Sequence, residues 1–380
     1  MVYSKTMNFP RNYKDLDNYL EPNKVLVIYG SRQVGKTTLL QSYLSRTGLK
    51  YKADSGDNLK TQQIVGSQDF SQILSYLRGY ELYTIDEAQR VPGVGTGLKI
   101  IVDHIPKIKV IATGSSSFEL SGQIGEPLAG RKKTLTLYPI SQSELKAVYN
   151  PFEIKEKLPE LLIYGSYPAI LTAGPEKKAD LLEELVNSLL LKDILELERV
   201  KSSKVLIDLL RLIAFQIGGE VSLSELGRQL GLDYKTVARY LDLLEKSFIL
   251  YNLRGYSTNL RKEVTKKSKY YFYDNGIRNA IISNFNPLNL RDDIGKLWEN
   301  FMVAERLKSQ EYQGIHANNF FWRTWDKQEI DWLEEKEGNL FGYEFKFTSQ
   351  KPRGLASFAR SYPKAKFQLI TSQNYLDFVG

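Results

Sequence analysis

The chain has 380 residues and a mass of 43.6 kDa, with 52 Lys plus Arg against 44 Asp plus Glu, a formal charge of +8 and a pI near 9.1. Cysteine is absent, which excludes disulfides, thiolate catalysis and Cys-ligated zinc or iron–sulfur sites and makes a reducing, cytoplasmic interior the expected location. The length predicts more than one domain; the mild basic excess permits a nucleic-acid partner without establishing one; and no apolar run reaches the roughly 18 residues of a spanning helix, so no membrane insertion is expected.

In chain order, Tyr13 to Leu20 reads as a short helix, and Val25 to Tyr29 as a buried, β-branched strand of parallel type. Gly30, Ser31, Arg32, Gln33, Val34, Gly35, Lys36 and Thr37 then fit G-x-x-x-x-G-K-[ST], the loop that cradles nucleotide phosphates, and Thr38 opens the helix whose positive end meets them. Gly35 lets backbone N–H groups close on a phosphate, Lys36 can reach the outer phosphates, and Thr37 can place its hydroxyl on Mg²⁺. Tyr51 to Asp54 reads as a strand and Ile64 to Leu77 as one helix. Leu82 to Ile85 is a strand that ends on Asp86 and Glu87. Asp86 suits a water on the metal or the Thr37 hydroxyl, and Glu87 suits polarising the attacking water; helix capping is the bland alternative for the pair. Leu98 to His104 reads as a helix. Lys109 to Thr113 is a strand running into Gly114, Ser115 and Ser116, where either serine is a candidate γ-phosphate sensor. Thr134 to Tyr138 is a further strand. Arg90 and Arg131 are the arginines to consider for phosphate sensing, with a plain surface role as the alternative for each.

The stretches GSRQVGKTTLL, LYTIDEAQR, VIATGSSS, LAGR and LYPISQSEL resemble a family of prokaryotic P-loop ATPases of the AAA+ type. Members of that family usually carry a C-terminal region designated DUF4143, and the resemblance covers nearly the whole chain. It implies Mg²⁺-dependent ATP binding and hydrolysis on an open α/β sheet, with the nucleotide at the carboxyl ends of the strands. It also implies a metal and catalytic pair at Asp86 and Glu87, a sensor hydroxyl at Ser115 or Ser116, and a functional arginine at Arg131.

Further along, Phe152 to Tyr164 and Lys177 to Arg199 read as helices around a turn at Gly165 to Pro168. Val205 to Ile217 reads as another helix. From Val221 to Leu250 the order helix, short turn, helix, strand resembles a winged helix-turn-helix, with Ser222 and Asp233 as caps and Gly231 as the stop. Its second helix offers Tyr234, Lys235, Thr236, Arg239 and Tyr240, and its wing Arg254, Arg261, Lys262, Lys266, Lys267 and Lys269. These can serve DNA phosphates or form an ordinary solvated hairpin. Gly295 to Lys308 reads as a helix, followed by strands Phe320 to Thr324, Glu329 to Leu333, Leu340 to Phe347 and Lys364 to Leu369. Glu344 and Lys346 share a strand face, and Asp331 falls on the neighbouring strand. The pattern resembles the restriction-endonuclease-like PD-(D/E)XK fold, with Glu299 as the helix acid and Ile330 where a proline often stands. It implies that Asp331 and Glu344 can share a second Mg²⁺ or Mn²⁺ on a partly open face, beside Lys346.

The expected organisation is a P-loop ATPase domain at 1–150, a helical linker region at 151–217, a winged helix-turn-helix-like domain at 218–283 and a nuclease-like αβ domain at 284–380. The leading functional reading is ATP hydrolysis coupled to rearrangement of DNA-binding modules. The alternatives are an ATP-regulated, metal-dependent DNA nuclease, and a nucleotide-dependent switch whose C-terminal domains are scaffolds for a protein partner or a second copy of the chain.

Overall fold

The computed structural model describes residues 9–115, 127–188, 203–256, 268–324, 328–348 and 354–380. The N-terminal part is a five-stranded parallel sheet of β1 (Val25–Tyr29), β2 (Tyr51–Ser55), β3 (Leu82–Asp86), β4 (Lys109–Thr113) and β5 (Lys132–Thr136), in the order β2-β3-β4-β1-β5. Every residue of β1 is buried. Alternate side chains enter different cores, as the period of two requires: Leu26 and Ile28 join Leu39, Leu40 and Tyr43 of helix α1 (Lys36–Leu44), while Val25 and Val27 join Leu98 and Ile101 of helix α4 (Val94–His104). Strand β4 lies between the loop-bearing β1 and the acid-bearing β3, which fixes what can meet at their carboxyl ends.

The helix expected over Ile64–Leu77 is two, α2 (Leu59–Val65) and α3 (Phe70–Tyr76). Gln68 takes a left-handed φ of 60° between them, and Asp69 caps the second through the Gln72 N–H. Strand β5 begins two residues earlier than expected. The turn at Gly165–Pro168 leads into a short helix, Pro168–Thr172. The helix expected at Lys177–Arg199 is seen as Lys178–Ser188, and its remainder lies outside the described residues.

The second sheet has seven strands: β6 (Glu220–Val221), β7 (Leu250–Gly255), β8 (Ser268–Phe272), β9 (Asn318–Arg323), β10 (Glu329–Lys336), β11 (Asn339–Phe345) and β12 (Lys366–Ile370), in the order β12-β11-β10-β9-β7-β8-β6. The parallel pairing of β7 with β9, Arg254 opposite Phe320, joins the β7–β8 pair to the C-terminal strands. One hydrogen-bonded sheet therefore runs across position 283/284, where two separate domains were expected. The 20-residue helix Ile294–Gln313 covers one face, and Leu355–Ser361 lies on the other, where Phe358 packs on Trp322, Ile330 and Leu333.

Candidate functional site

The loop Gly30–Thr37 leaves β1 at the carboxyl end of the first sheet. Gly30 sits at φ +153°, and a Cβ there would lie 2.2 Å from the Leu137 carbonyl oxygen, so no side chain fits. Gly35 takes φ +99° at the start of α1. Lys36 is buried and curls over the loop, its Nζ donating to the carbonyls of Gly30 and Ser31 at 2.9 Å each. The Thr37 hydroxyl donates to Asp86 Oδ2 at 2.7 Å, tying the loop to β3.

Two residues the sequence reading passed over complete this geometry. The Thr113 hydroxyl, at the end of β4, donates to Asp86 Oδ1 and accepts from the Glu87 N–H at 3.2 Å. Glu87 takes a left-handed φ of 51°, which turns it out of the line of the strand. The Gln89 amide donates to Glu87 Oε2 and lies 3.5 Å from Ser115 Oγ. Thr37, Asp86, Thr113, Glu87, Gln89 and buried Ser115 thus form one connected polar group. Ser116 lies outside the described residues.

Arg131 is not part of it. It precedes β5, opposite the start of β1, and its Nε is 2.6 Å from Asp103. The five-residue length of β1 separates it from the loop by about 16 Å. Arg90 follows the acid pair and is ion-paired with exposed Asp57 at 3.0 Å.

Beside the loop lies a cavity of about 470 Å³ bounded by Phe9 and Pro10, by Gly35, Thr38 and Leu39, and by Pro168 and Ala169. Its walls are pinned to the loop from two sides. Buried Arg11 donates to the Val34 carbonyl at 3.1 Å and to the Tyr312 hydroxyl at 3.3 Å, with Glu144 Oε1 3.0 Å from its Nε. The Tyr167 hydroxyl is hydrogen-bonded to Ser31 Oγ at 2.8 Å. The next residue back, Ser166, receives a hydrogen bond from Lys308 at 3.1 Å and donates its N–H to Asp274 at 2.7 Å. Neither Arg11 nor Tyr167 carried a motif; only the turn Gly165–Pro168 was visible.

A second group of charges lies between the helix Ile294–Gln313 and the C-terminal sheet. A register shift of β10 against β9 between Ile330 and Leu333 re-aims the intervening residues. Asp331 Oδ2 accepts the Phe345 N–H at 2.8 Å, and Lys346 Nζ lies 3.7 Å from it and 2.8 Å from Glu344 Oε1. Glu299 accepts from the Tyr271 hydroxyl at 2.6 Å and lies 3.4 Å from Lys269 Nζ. The expected partly open face is a correction: Asp331 is 6% and Glu344 5% exposed, because helices cover the sheet on both sides. Burial, with the charge of Asp331, pushes the Glu344 carboxyl up to about 7; burial outweighs Lys269 and pushes Glu299 up to about 7. Among the described residues no three His, Asp or Glu are set to hold a metal ion by themselves.

Between the helices Leu223–Leu230 and Tyr234–Lys246, Asp233 accepts from the N–H groups of Lys235 and Thr236 at 2.9 Å and from the Thr236 hydroxyl at 2.7 Å. Tyr234, Lys235 and Arg239 are exposed, whereas Tyr240, expected on that face, is buried in the core. Lys269, expected in a basic wing, is fully buried, and Arg261, Lys262, Lys266 and Lys267 lie outside the described residues. No helix among the described residues is long and apolar enough to cross a membrane.

Residues 22–146 match the family model described as an AAA domain, which makes the N-terminal part an AAA+-like P-loop domain. Residues 155–288 and 294–378 match two models described as domains of unknown function, DUF8612 and DUF4143. The chain is similar to an uncharacterized protein of Haemophilus influenzae, at 26% identity over 98% of this chain and 95% of that one. An uncharacterized protein of Mycobacterium tuberculosis is 27% identical over 86% of this chain and 70% of its own length. Among solved structures, the RuvB Holliday junction branch migration motor of Thermotoga maritima aligns at 21% identity over 64% of this chain and 93% of that chain. The TM-score of that alignment is 0.29.

Proposed function

We propose that this chain binds ATP with Mg²⁺ at Gly30–Thr38 and hydrolyses it, with Lys36 on the outer phosphates and Glu87 polarising the attacking water. The observation that carries the reading is the 2.7 Å hydrogen bond between Thr37 and Asp86, with Glu87 next in the chain. A hydroxyl and a carboxylate in contact are hard oxygen donors that suit Mg²⁺, an ion that takes one or two protein oxygens and fills its shell with phosphate and water. Thr37 and Asp86 would hold it, and it would offset charge on the phosphates there. The cavity bounded by Phe9, Pro10, Leu39 and Pro168 gives the base an apolar seat beside the loop. Lys36 leaves the Gly30 and Ser31 carbonyls for phosphate, Gln89 holds Glu87, and Ser115 lies within reach of the same group.

Glu87→Gln keeps the size of the side chain and removes the base. Nucleotide binding should survive while hydrolysis falls by about 10² or more, whereas Lys36→Ala should weaken binding itself. Hydrolysis by Glu87→Gln at the wild-type rate would remove the assignment.

In this reading residues 1–150 form the ATPase domain, and the helical region 151–217 and the modules at 218–283 and 284–380 receive its state. The contacts that support coupling are direct: Tyr167 on Ser31, Lys308 on Ser166, and Arg11 joining Val34 to Tyr312. Duplex DNA is the partner that suits exposed Tyr234, Lys235 and Arg239. Binding that weakens steeply with salt supports it, and salt-independent or absent binding favours the protein-scaffold reading. The meeting of Glu299, Asp331, Glu344 and Lys346 favours a second reading, in which the C-terminal region is a metal-dependent, nuclease-like module taking Mg²⁺ or Mn²⁺ at Asp331 and Glu344.

A further inference from the structure

We propose that Arg11 is a positioning residue for the phosphate loop: it holds the Val34–Gly35 peptide so that the Gly35 N–H points at the nucleotide phosphates, and it makes that hold depend on the C-terminal helix Ile294–Gln313. The inference rests on the reading of Gly30–Thr38 as the nucleotide site and adds what sets the direction of one of its donors.

Gly35 cannot fix its own backbone. Its φ of +99° lies in the left-handed region, and a Cβ there would meet nothing within 4 Å. A glycine moves between the left- and right-handed regions at little cost, so the peptide before it is free to turn unless something grips it. That peptide is trans and planar, and its carbonyl and N–H point in opposite directions. Whatever grips the Val34 carbonyl therefore also aims the Gly35 N–H. The grip is Arg11, whose Nη1 donates to the Val34 oxygen at 3.1 Å. The N–H is turned away from the guanidinium, and in a phosphate loop the backbone N–H groups of this stretch are the donors that cradle phosphate. A cation on the carbonyl side also polarises the amide and strengthens its N–H as a donor.

Arg11 can do this because its own position is fixed. It is 9% exposed. Its Nη2 donates to the Tyr138 carbonyl at 2.5 Å and to the Tyr312 hydroxyl at 3.3 Å, and its Nε lies 3.0 Å from Glu144 Oε1. All three nitrogens are committed. Glu144 is set in turn: Oε1 also accepts the Asn12 N–H at 2.8 Å, and Oε2 accepts the Ser141 N–H at 2.9 Å in a capping box. A guanidinium fork serves these four partners at once, whereas a lysine ammonium, a single point of charge, does not reach the same set.

Tying the N-terminal segment to the domain would need only Glu144 and Tyr138. The bonds that such a role does not need are those to Val34 and Tyr312. Tyr312 lies in the last turn of the helix Ile294–Gln313, and its hydroxyl also accepts the Tyr138 N–H at 3.2 Å. A shift of that helix thus reaches the Val34 carbonyl through one side chain.

The test is calorimetry of ATP and ADP binding to the full chain, with adenosine, which lacks phosphate, measured by competition against ADP. Arg11→Lys keeps a charge beside Glu144 and loses the grip on Val34. It should weaken ATP and ADP about tenfold or more, the scale of one lost hydrogen bond, and adenosine by less than about threefold. Tyr312→Phe removes only a hydroxyl and should show the same pattern at about threefold. Arg291→Lys alters an equally buried arginine away from the loop. It should lower the melting temperature and leave both affinities alone; a loss of ATP affinity equal to that of Arg11→Lys would make the effect general loosening and overturn the proposal. Equal weakening of ATP and adenosine in Arg11→Lys, or ATP affinity within about twofold of wild type, also overturns it. If Arg11→Lys does not fold, Tyr312→Phe decides, and wild-type ATP affinity there overturns it. Lys36→Ala separates this inference from the reading beneath it. ATP binding lost in Lys36→Ala but kept in Arg11→Lys overturns the positioning role alone, whereas a wild-type chain that binds no ATP overturns both.

Discussion

Replacing Thr113 with Val tests the proposed nucleotide site at a residue whose hydroxyl, among the described residues, holds Asp86 and Glu87. The exchange is nearly isosteric, and Thr113 is 0% exposed, so the packing of β4 should be kept. It removes the hydroxyl that donates to Asp86 Oδ1 and accepts from the Glu87 N–H. A hydrogen bond to a charged group contributes about 1.5–3 kcal/mol. If that positioning is felt in the transition state, turnover should fall roughly 10- to 150-fold, at about 1.4 kcal/mol per factor of ten. Nucleotide affinity without Mg²⁺ should change little, because Lys36 and the loop N–H groups are untouched. The Mg²⁺ concentration needed for half-maximal turnover should rise, because Asp86 then loses one of the two hydroxyls that position its carboxylate among the described residues. The assay is steady-state phosphate release over a Mg²⁺ series, with nucleotide binding followed separately in EDTA. Thr113→Ser restores the hydroxyl without the methyl and should recover most of the activity. Wild-type turnover in Thr113→Val, or equal damage in Thr113→Ser, would refute the reasoning: the first because the hydrogen bond does nothing, the second because the methyl rather than the hydroxyl matters.

Arg131→Ala should leave turnover within about twofold of wild type in dilute protein, since it breaks a part-exposed pair with Asp103 at the far end of the sheet. A large loss of turnover that is restored by mixing with Lys36→Ala chains would show instead that Arg131 serves a neighbouring copy. For acid stability the informative residue is Asp293. Burial works against its carboxylate, but hydrogen bonds from Arg291 and Arg278 outweigh it and hold the pKa at about 2. A carboxylate with a depressed pKa stabilises the fold above its unfolded pKa and loses that contribution as pH falls through the folded one. Wild type should therefore exceed Asp293→Asn by about 2 kcal/mol more at pH 5 than at pH 2. Urea melts across that range that keep a constant difference would contradict the pairing.

What the sequence made legible was what neighbours in the chain decide. Gly30, Gly35, Lys36 and Thr37 fall within eight positions of one another, and the β-branched run before them states its burial directly. Asp86 and Glu87 were legible for the same reason, and the small residues after β4 pointed to Ser115 or Ser116 without choosing between them. The break between α2 and α3 could have been read from Gly66 followed by Asp69, a stop and a cap in succession. Arg11 could not, because Val34, Tyr138, Glu144 and Tyr312 come together around it only in the folded chain. Lys269 was misread for a definable reason. As one of several basic residues it suggested an exposed wing, yet Lys269 and Tyr271 are two apart on a strand and so share a face, and both reach Glu299. A lysine alternating with aromatics predicts a buried ion pair better than a DNA contact.

The loop Gly30–Thr37 and the C-terminal region are held in one register by buried polar contacts as well as by apolar packing. Apolar surfaces between them could slide, since burial is nearly indifferent to small shifts. Aromatic contacts cross the boundary, Tyr138 packing on Phe248, Tyr273 and Tyr312, and buried polar contacts cross it beside them. Glu305 accepts the Gln142 N–H at 2.8 Å and pairs with Lys308, which in turn donates to Ser166 beside the Tyr167 that touches Ser31. Burial raises the pKa of Glu305, so the carboxylate depends on those partners to remain charged. Separating any of them in the interior leaves a charge or a donor uncompensated, a penalty far larger than the net gain from forming the contact. A displacement of the loop around Ser31 and Val34 must then either be resisted or be passed on to the helix Ile294–Gln313 as a whole. That helix also carries Glu299, about 120° around the axis from Glu305 and about 180° from Lys308, so the contacts toward the nucleotide loop and the hold on Lys269 occupy different faces of one continuous helix.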